Sequence, residues 1–172
     1  MRYDLLKGEK IRIREMRSDD CDILHDWENR PELDHLGDEH STLSKTQIAD
    51  FIERSSGDIY SDGQLRLMIE TENYTVGCID LFEFDPHNLR AGVGILIAEA
   101  EHRNRGYATE ALQLLTRYCF EVMHLKQLYC HIPVDNQASL QLFSTCGFEE
   151  NGRCRNWVRK GNQFLDAAFM QN

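Results

Sequence analysis

The residue pattern predicts a mixed α/β domain. It comprises a mostly antiparallel sheet of about six or seven strands with helices on both faces. Three observations lead there. Short apolar or alternating runs rich in β-branched residues mark strands, and segments with apolar residues three or four apart mark helices. Several strands are joined by tight turns, the connection of antiparallel neighbours. One strand, Val93-Gly94-Ile95-Leu96-Ile97, runs through a glycine-containing turn into a helix. The 172 residues, 41% hydrophobic and 28% charged, suit one domain over 1–172 with a full core.

Taken in order, Lys10-Ile11-Arg12-Ile13-Arg14 alternates apolar and charged residues and reads as a strand. Ser18-Asp19-Asp20 reads as a helix start with Ser18 as N-cap, leading into Cys21, Ile23, Leu24 and Trp27. Pro31 breaks that helix, and a second follows over 44–54 with Ile48, Phe51 and Ile52 on one face. Strands follow at 65–69, 75–84 and 91–97, with Asp85-Pro86-His87-Asn88 as a turn. The helix after the glycine turn carries Ala108, Ala111, Leu112, Leu115, Tyr118, Cys119 and Val122 at helical spacing and ends near Met123. A strand over 127–132 stops at Pro133, and a short helix over 136–146 precedes Gly147 at a C-cap position. Two strands close the chain, at about 150–158 and 164–170. The order is β-αα-βββ-α-β-α-ββ, with no repeat and no linker.

Composition narrows the function classes. A net charge of −10 argues against a nucleic-acid partner, which would require a basic face. It suits a cationic small molecule, although solubility alone would explain it. From Asp26 to Asp58 there are nine acids and three bases. No apolar run reaches the roughly 18 residues of a membrane span, and Met1-Arg2-Tyr3-Asp4 lacks a signal-peptide core. The expectations are therefore a cytoplasmic protein and no membrane partner. The six cysteines form no C-x-x-C pair, so buried reduced thiols are expected and no metal site.

The stretch Glu101-His102-Arg103-Asn104-Arg105-Gly106-Tyr107-Ala108 carries the chemistry. A strand, glycine turn and helix aim free backbone N–H groups and a helix N-terminus at one point, which suits a phosphate. Gly106 permits close approach or an unusual backbone angle. Arg103 and Arg105 add charge, or simply solvate the surface.

Three features together resemble the GNAT superfamily of N-acetyltransferases. Arg103-Asn104-Arg105-Gly106-Tyr107-Ala108 matches its [Q/R]-x-x-G-x-[G/A] acetyl-CoA signature. Asn136-Gln137-Ala138-Ser139 is like its N-x-x-S segment, and Cys146-Gly147-Phe148-Glu149 like the G-F ending of the late helix. The resemblance covers nearly the whole chain and implies the acyl-CoA N-acyltransferase fold. Within the superfamily the sequence is most like bacterial spermidine N-acetyltransferases, and next like ribosomal-protein alanine N-acetyltransferases. The resemblance implies acetyl-CoA as co-substrate and transfer of its acetyl group to a primary amine. The pyrophosphate would sit on the N–H groups of residues 103–108. Ile95, Leu96 and Ile97 would supply backbone to the pantetheine arm, and Asn136 and Ser139 would meet the same arm. Asn136 also suits a helix N-cap.

An alkylamine, with a pKa near 10.4, arrives protonated at neutral pH, so a carboxylate must take its proton. Glu83, late in the strand beside 91–97, is the first candidate and Asp80 the second; either could also be a surface strand residue. The spermidine branch implies polycation binding by acids of the first helices. Here Glu28, Glu32, Asp38 and Glu39 are the candidates, with Glu83. One departure stands out: where that branch has a tyrosine that protonates the leaving thiolate, this chain has Phe143. Water, Ser139 or Ser144 could take over that proton transfer. Phe143 keeps two alternatives open: acetylation of a protein N-terminus or an antibiotic amine, and a non-catalytic acyl-CoA-binding module. A homo-oligomer is compatible with the sequence.

Overall fold

The structure is a computed structural model that describes residues 3–30, 33 and 42–172, the side chains of Tyr3 and Asp4 excepted. Seven strands form one sheet: β1 (Arg12–Glu15), β2 (Leu65–Glu70), β3 (Thr75–Asp85), β4 (Arg90–Ile97), β5 (Gln127–Pro133), β6 (Glu149–Lys160) and β7 (Gln163–Gln171). Their spatial order is β1-β2-β3-β4-β5-β7-β6. Every neighbouring pair is antiparallel except β4–β5. That exception follows from the connection, since a parallel neighbour requires a crossover. The crossover here is the helix α4 (Tyr107–Glu121).

Both faces of β2 to β4 are covered, so these strands read as near-continuous apolar runs. Leu67, Ile79, Leu81 and Val93 pack in one cluster with Ala111, Leu112 and Leu115 of α4. Met68, Cys78 and Leu96 sit side by side in the register and point the other way. They meet Leu24 and Trp27 of α1 (Cys21–Glu28) and Ile48 of α2 (Lys45–Arg54). Among the described residues, this second cluster takes nothing from β5, β6 or β7. In β5, Leu128, Cys130 and Ile132 join the α4 cluster. Strand alternation therefore turns Tyr129 and His131 toward the face that α1 and α2 leave open.

β4 and β5 pair only from Arg90 to Gly92, against Gln127 to Tyr129. Beyond Gly92 the two strands part. The fork leaves the β5-facing backbone groups of residues 93–97 without a ladder partner in β5, while β3 still pairs the strand along its other edge.

Expected element positions agree with the structure to within a few residues, with two differences. Ser18 does not cap a helix. A short 3₁₀ turn (Ser18–Asp20) precedes α1, and the Asp20 carboxylate accepts the Arg17 N–H at 2.7 Å. Asp20 takes this role because its buried carboxylate is already fixed by Arg14, at 2.7 and 2.8 Å. A one-turn helix, α3 (Ile59–Asp62), is capped by Asp58 and was too short to show a period. α2 starts at a capping box: the Ser44 hydroxyl accepts from the Gln47 N–H at 3.2 Å, and Gln47 Oε1 accepts the Ser44 N–H at 2.9 Å. All six cysteines are free. Burial pushes the thiols of Cys78, Cys119 and Cys130 up to about 12, so they stay protonated and inert.

Candidate active site

At the mouth of the fork lies a cavity of about 520 Å³. Ile95, Leu96 and Ile97, the end of β4, form one wall. Arg103, Asn104, Gly106, Tyr107 and Ala108 line a second side. Asn136 and Ser139, at the start of α5 (Gln137–Thr145), line a third. Two helix N-termini thus meet in one cavity, and both carry partial positive charge. Gly106 is the N-cap of α4 at φ 83°, and Asn104 has φ 58°. A left-handed backbone at both positions, with Arg105 outside that region between them, is the kind of alternation in which successive N–H groups can converge as an anion-binding nest.

The two arginines brace this loop. Arg103 Nε donates to the Ile97 carbonyl at 3.1 Å and its Nη2 to the Ala98 carbonyl at 2.9 Å. Arg105 Nε donates to the Glu101 carbonyl at 2.7 Å, and Arg105 is absent from the cavity lining. From behind, Lys10 Nζ donates to the Arg105 carbonyl at 3.2 Å, and the Glu110 carboxylate accepts the Lys10 N–H at 3.0 Å. Asn136 caps α5: its side-chain oxygen accepts the Ser139 N–H at 3.2 Å.

On the open face of the sheet, Glu83 occupies a β-bulge. Phe82 pairs with Gly92 and Asp85 with Arg90, so Glu83 and Phe84 together oppose Ala91. Glu83 is the inserted residue, with φ 47°. A non-glycine residue there costs about 1 kcal/mol and persists where the surroundings impose it. The bulge turns the Glu83 carboxylate over β4 to accept a hydrogen bond from the Tyr129 hydroxyl. Gly92 makes this crossing feasible, since a Cβ there would stand 2.2 Å from the Phe82 ring. Burial raises the Tyr129 pKa, and its hydrogen bond to the Glu83 carboxylate raises it further.

The other acids are differently placed. Asp80 forms a two-pronged ion pair with Arg66, at 2.9 Å on each prong. Arg66 also pairs with Glu28, so Glu28, Arg66 and Asp80 form one ionic cluster beside the fork. Glu32, Asp38 and Glu39 lie outside the described residues. Phe143 is buried edge-on against Phe148, with ring centroids 4.9 Å apart, and is absent from the cavity lining. Ser144 is exposed.

Sequence reasoning passed over Tyr129, His131 and Arg66. Tyr129 and His131 alternate with Leu128, Cys130 and Ile132, a signal that would have set them on the side of β5 away from α4. His131 stacks on Trp157 with centroids 5.4 Å apart, and Trp157 is itself 58% exposed. Among the described residues, no group of three His, Cys, Asp or Glu could hold a metal ion. No helix among them is long and apolar enough to cross a membrane.

Residues 10–149 match the family described as the acetyltransferase (GNAT) domain. The chain belongs to the GNAT family. It is an acetyl-CoA-dependent N-acetyltransferase. Its relatives include the spermidine N(1)-acetyltransferase of Vibrio cholerae, 23% identical over 146 residues that cover 84% of this chain and 82% of that protein. Another is the uncharacterized N-acetyltransferase p20 of Bacillus licheniformis, 23% identical over 166 residues, covering 95% and 92%. Among solved structures, the Vibrio cholerae spermidine N-acetyltransferase in complex with CoA and spermine superposes with a TM-score of 0.86 at 20% identity, covering 96% of each chain. A dodecameric structure of the Vibrio cholerae enzyme gives 0.81 at 20% identity, covering 96% of this chain and 94% of that one. At these identities the structural likeness establishes the acyl-CoA N-acyltransferase fold.

Proposed function

We propose that this enzyme acetylates a primary amine of a small polyamine-like molecule. The observation that carries the reading is the set of carboxylates beside the fork. Glu83 is aimed there by a bulge, and Glu28 and Asp80 stand on the same face paired with Arg66, while the nearby Arg90 is matched by Asp85. That leaves net negative charge where a cationic acceptor must arrive. The relatives' names point to the same substrate class.

The donor half follows from the cavity. The pyrophosphate of acetyl-CoA lies on the inward N–H groups of Asn104, Arg105, Gly106, Tyr107 and Ala108, with α4 behind it. Arg103 and Arg105 hold the loop rather than the phosphate. The pantetheine arm runs along Ile97, Leu96 and Ile95 as a surrogate strand, using the backbone groups that the fork releases. Asn136 and Ser139 flank it. The amine comes from the opposite face, where Glu83 takes its proton. Asp80 and Glu28, held by Arg66, contribute field rather than proton transfer. This chain also forms a homo-oligomer in this reading, as the dodecameric relative suggests.

A thiol-release assay with acetyl-CoA tests the reading against three panels: di- and polyamines, aminoglycosides, and peptides with free N-termini. The expected result is turnover of polyamines with kcat/KM at least tenfold above the other classes. Preference for peptides or aminoglycosides would replace the polyamine assignment.

A further inference from the structure

We propose that Tyr129 is the acid that protonates the departing CoA thiolate, and that with Glu83 it forms a closed proton relay. The inference rests on the reading of Glu83 as base. Its location comes from the fork. Arg103, in the phosphate loop, is bonded to the carbonyl of Ile97, so the phosphates lie at the Ile97 end of β4. An acyl-donor arm running from there along Leu96 and Ile95 delivers its thioester toward the apex, where β4 and β5 are last paired at Gly92 and Tyr129. From Ile95 to Gly92 is about 10 Å along the strand. The hydroxyls that line the cavity itself are less well placed. Tyr107 and Thr109 stand at the phosphate end, and Thr145 Oγ1 is given to the Gln141 carbonyl at 2.8 Å. Ser139, on the first turn of α5, is the competing donor but has no carboxylate bonded to it among the described residues from which to recover a proton. Phe143, buried against Phe148, has no proton to give.

The step balances without any further reactant. Glu83 first passes the arriving ammonium's extra proton to water. The amine nitrogen then bonds to the thioester carbon, and Glu83 takes the proton that the nitrogen must lose. The C–S bond breaks with its electron pair on sulfur, which takes the Tyr129 phenolic proton. The phenolate recovers a proton from the Glu83 carboxyl through the hydrogen bond already in place. One proton has moved from amine to thiol, and both side chains are restored. The carboxylate opposes ionisation of Tyr129 in the resting enzyme, and that opposition ends once Glu83 is protonated.

Tyr129→Phe and Glu83→Gln, singly and together, test the relay. The expected losses in kcat are about 100-fold or more for each. The double variant should lose no more than the worse single variant, as groups acting as a unit do. Acetyl-CoA affinity, measured by calorimetry, should stay within threefold. Glu83 and Asp85 of β3, Arg90 of β4 and His131 of β5 face or adjoin the Tyr129 ring. A second variant isolates the phenol from them: 3,5-difluorotyrosine at position 129 lowers only the phenol's pKa. It should bring the alkaline limb of kcat to lower pH, while any limb due to His131 stays where it is. If Glu83→Gln costs activity but Tyr129→Phe retains kcat within threefold, or the fluorinated profile superimposes on the natural one, the relay is wrong and the base assignment stands. If Glu83→Gln retains activity, the base assignment itself is wrong, and the relay with it.

Discussion

At the residue scale, the proposed acceptor side depends on one carboxylate in an unusual backbone conformation and on one missing side chain. Glu83 reaches Tyr129 because a bulge inserts it and because Gly92 leaves room for the Phe82 ring. Gly92→Ala tests this dependence. Its Cβ would displace the Phe82 ring and the Tyr129 ring set edge-on to it at 6.2 Å. The expected result is a fall in kcat of at least tenfold, together with about 1–3 kcal/mol of lost stability from overpacking. Urea unfolding and thiol release measure the two quantities. Full activity in a destabilised protein would show that the Phe82–Tyr129 arrangement has no part in catalysis. None of this was legible in the sequence beyond the choice of Glu83. An inserted residue leaves the apolar pattern on both sides intact, so alternation alone cannot reveal a bulge. Nor could sequence show that Asp80 and Glu28 share Arg66, since those pairs span 14 and 38 residues.

At the element scale, the turn from β4 to α4 was the most legible part of the chain. A strand run, a glycine and a helical period follow one another within about twenty residues, and each is a local property. The structure adds the reason for glycine: position 106 is left-handed at φ 83° and caps α4. Gly106→Ala should raise KM for acetyl-CoA about tenfold or more, because a side chain at this angle costs about 1–2 kcal/mol and turns the N–H groups aside. KM for the amine should change much less. Equal changes in both constants, in steady-state kinetics, would mean that the loop does not hold the donor. The arginines of this turn were readable as charge but not as braces, because their acceptors are carbonyls of Ile97, Ala98 and Glu101.

At the scale of the whole molecule, the two helical layers divide the labour. α4 covers one face of the sheet, and α1 and α2 cover only part of the other, packing, among the described residues, on nothing from β5 to β7. β1 is joined to the start of α1 by the buried Arg14–Asp20 pair. Burial acts to raise the Asp20 pKa. The hydrogen bonds from Arg14 and the Arg17 N–H, with the Arg14 charge, outweigh it and hold the carboxyl below the usual aspartate value. A depressed folded-state pKa contributes stability that is complete above the unfolded value of about 3.9 and is lost as pH falls through the folded one. Asp20→Asn removes the closer of Arg14's two carboxylate partners, leaving Glu70 at 3.3 Å, and should cost about 3 kcal/mol at neutral pH. The deficit should shrink below about pH 4, where the carboxyl of the unfolded natural chain takes up a proton before the folded one does. Urea midpoints at pH 7 and pH 3 check this, and a deficit equal at both would remove Asp20 as the acid-sensitive group.

By itself the sequence determined the order of elements, the mixed sheet and the strand, glycine turn and helix that we propose as the seat of the donor's phosphates, because periodicity, caps and a glycine turn act over a few residues. It determined Glu83 only as one acid among several. Tertiary structure alone decided where β4 and β5 part, that Arg66 holds Asp80 and Glu28, and that Tyr129 meets Glu83. Each of those depends on strand register and on contacts between residues far apart in the chain, which no local pattern encodes.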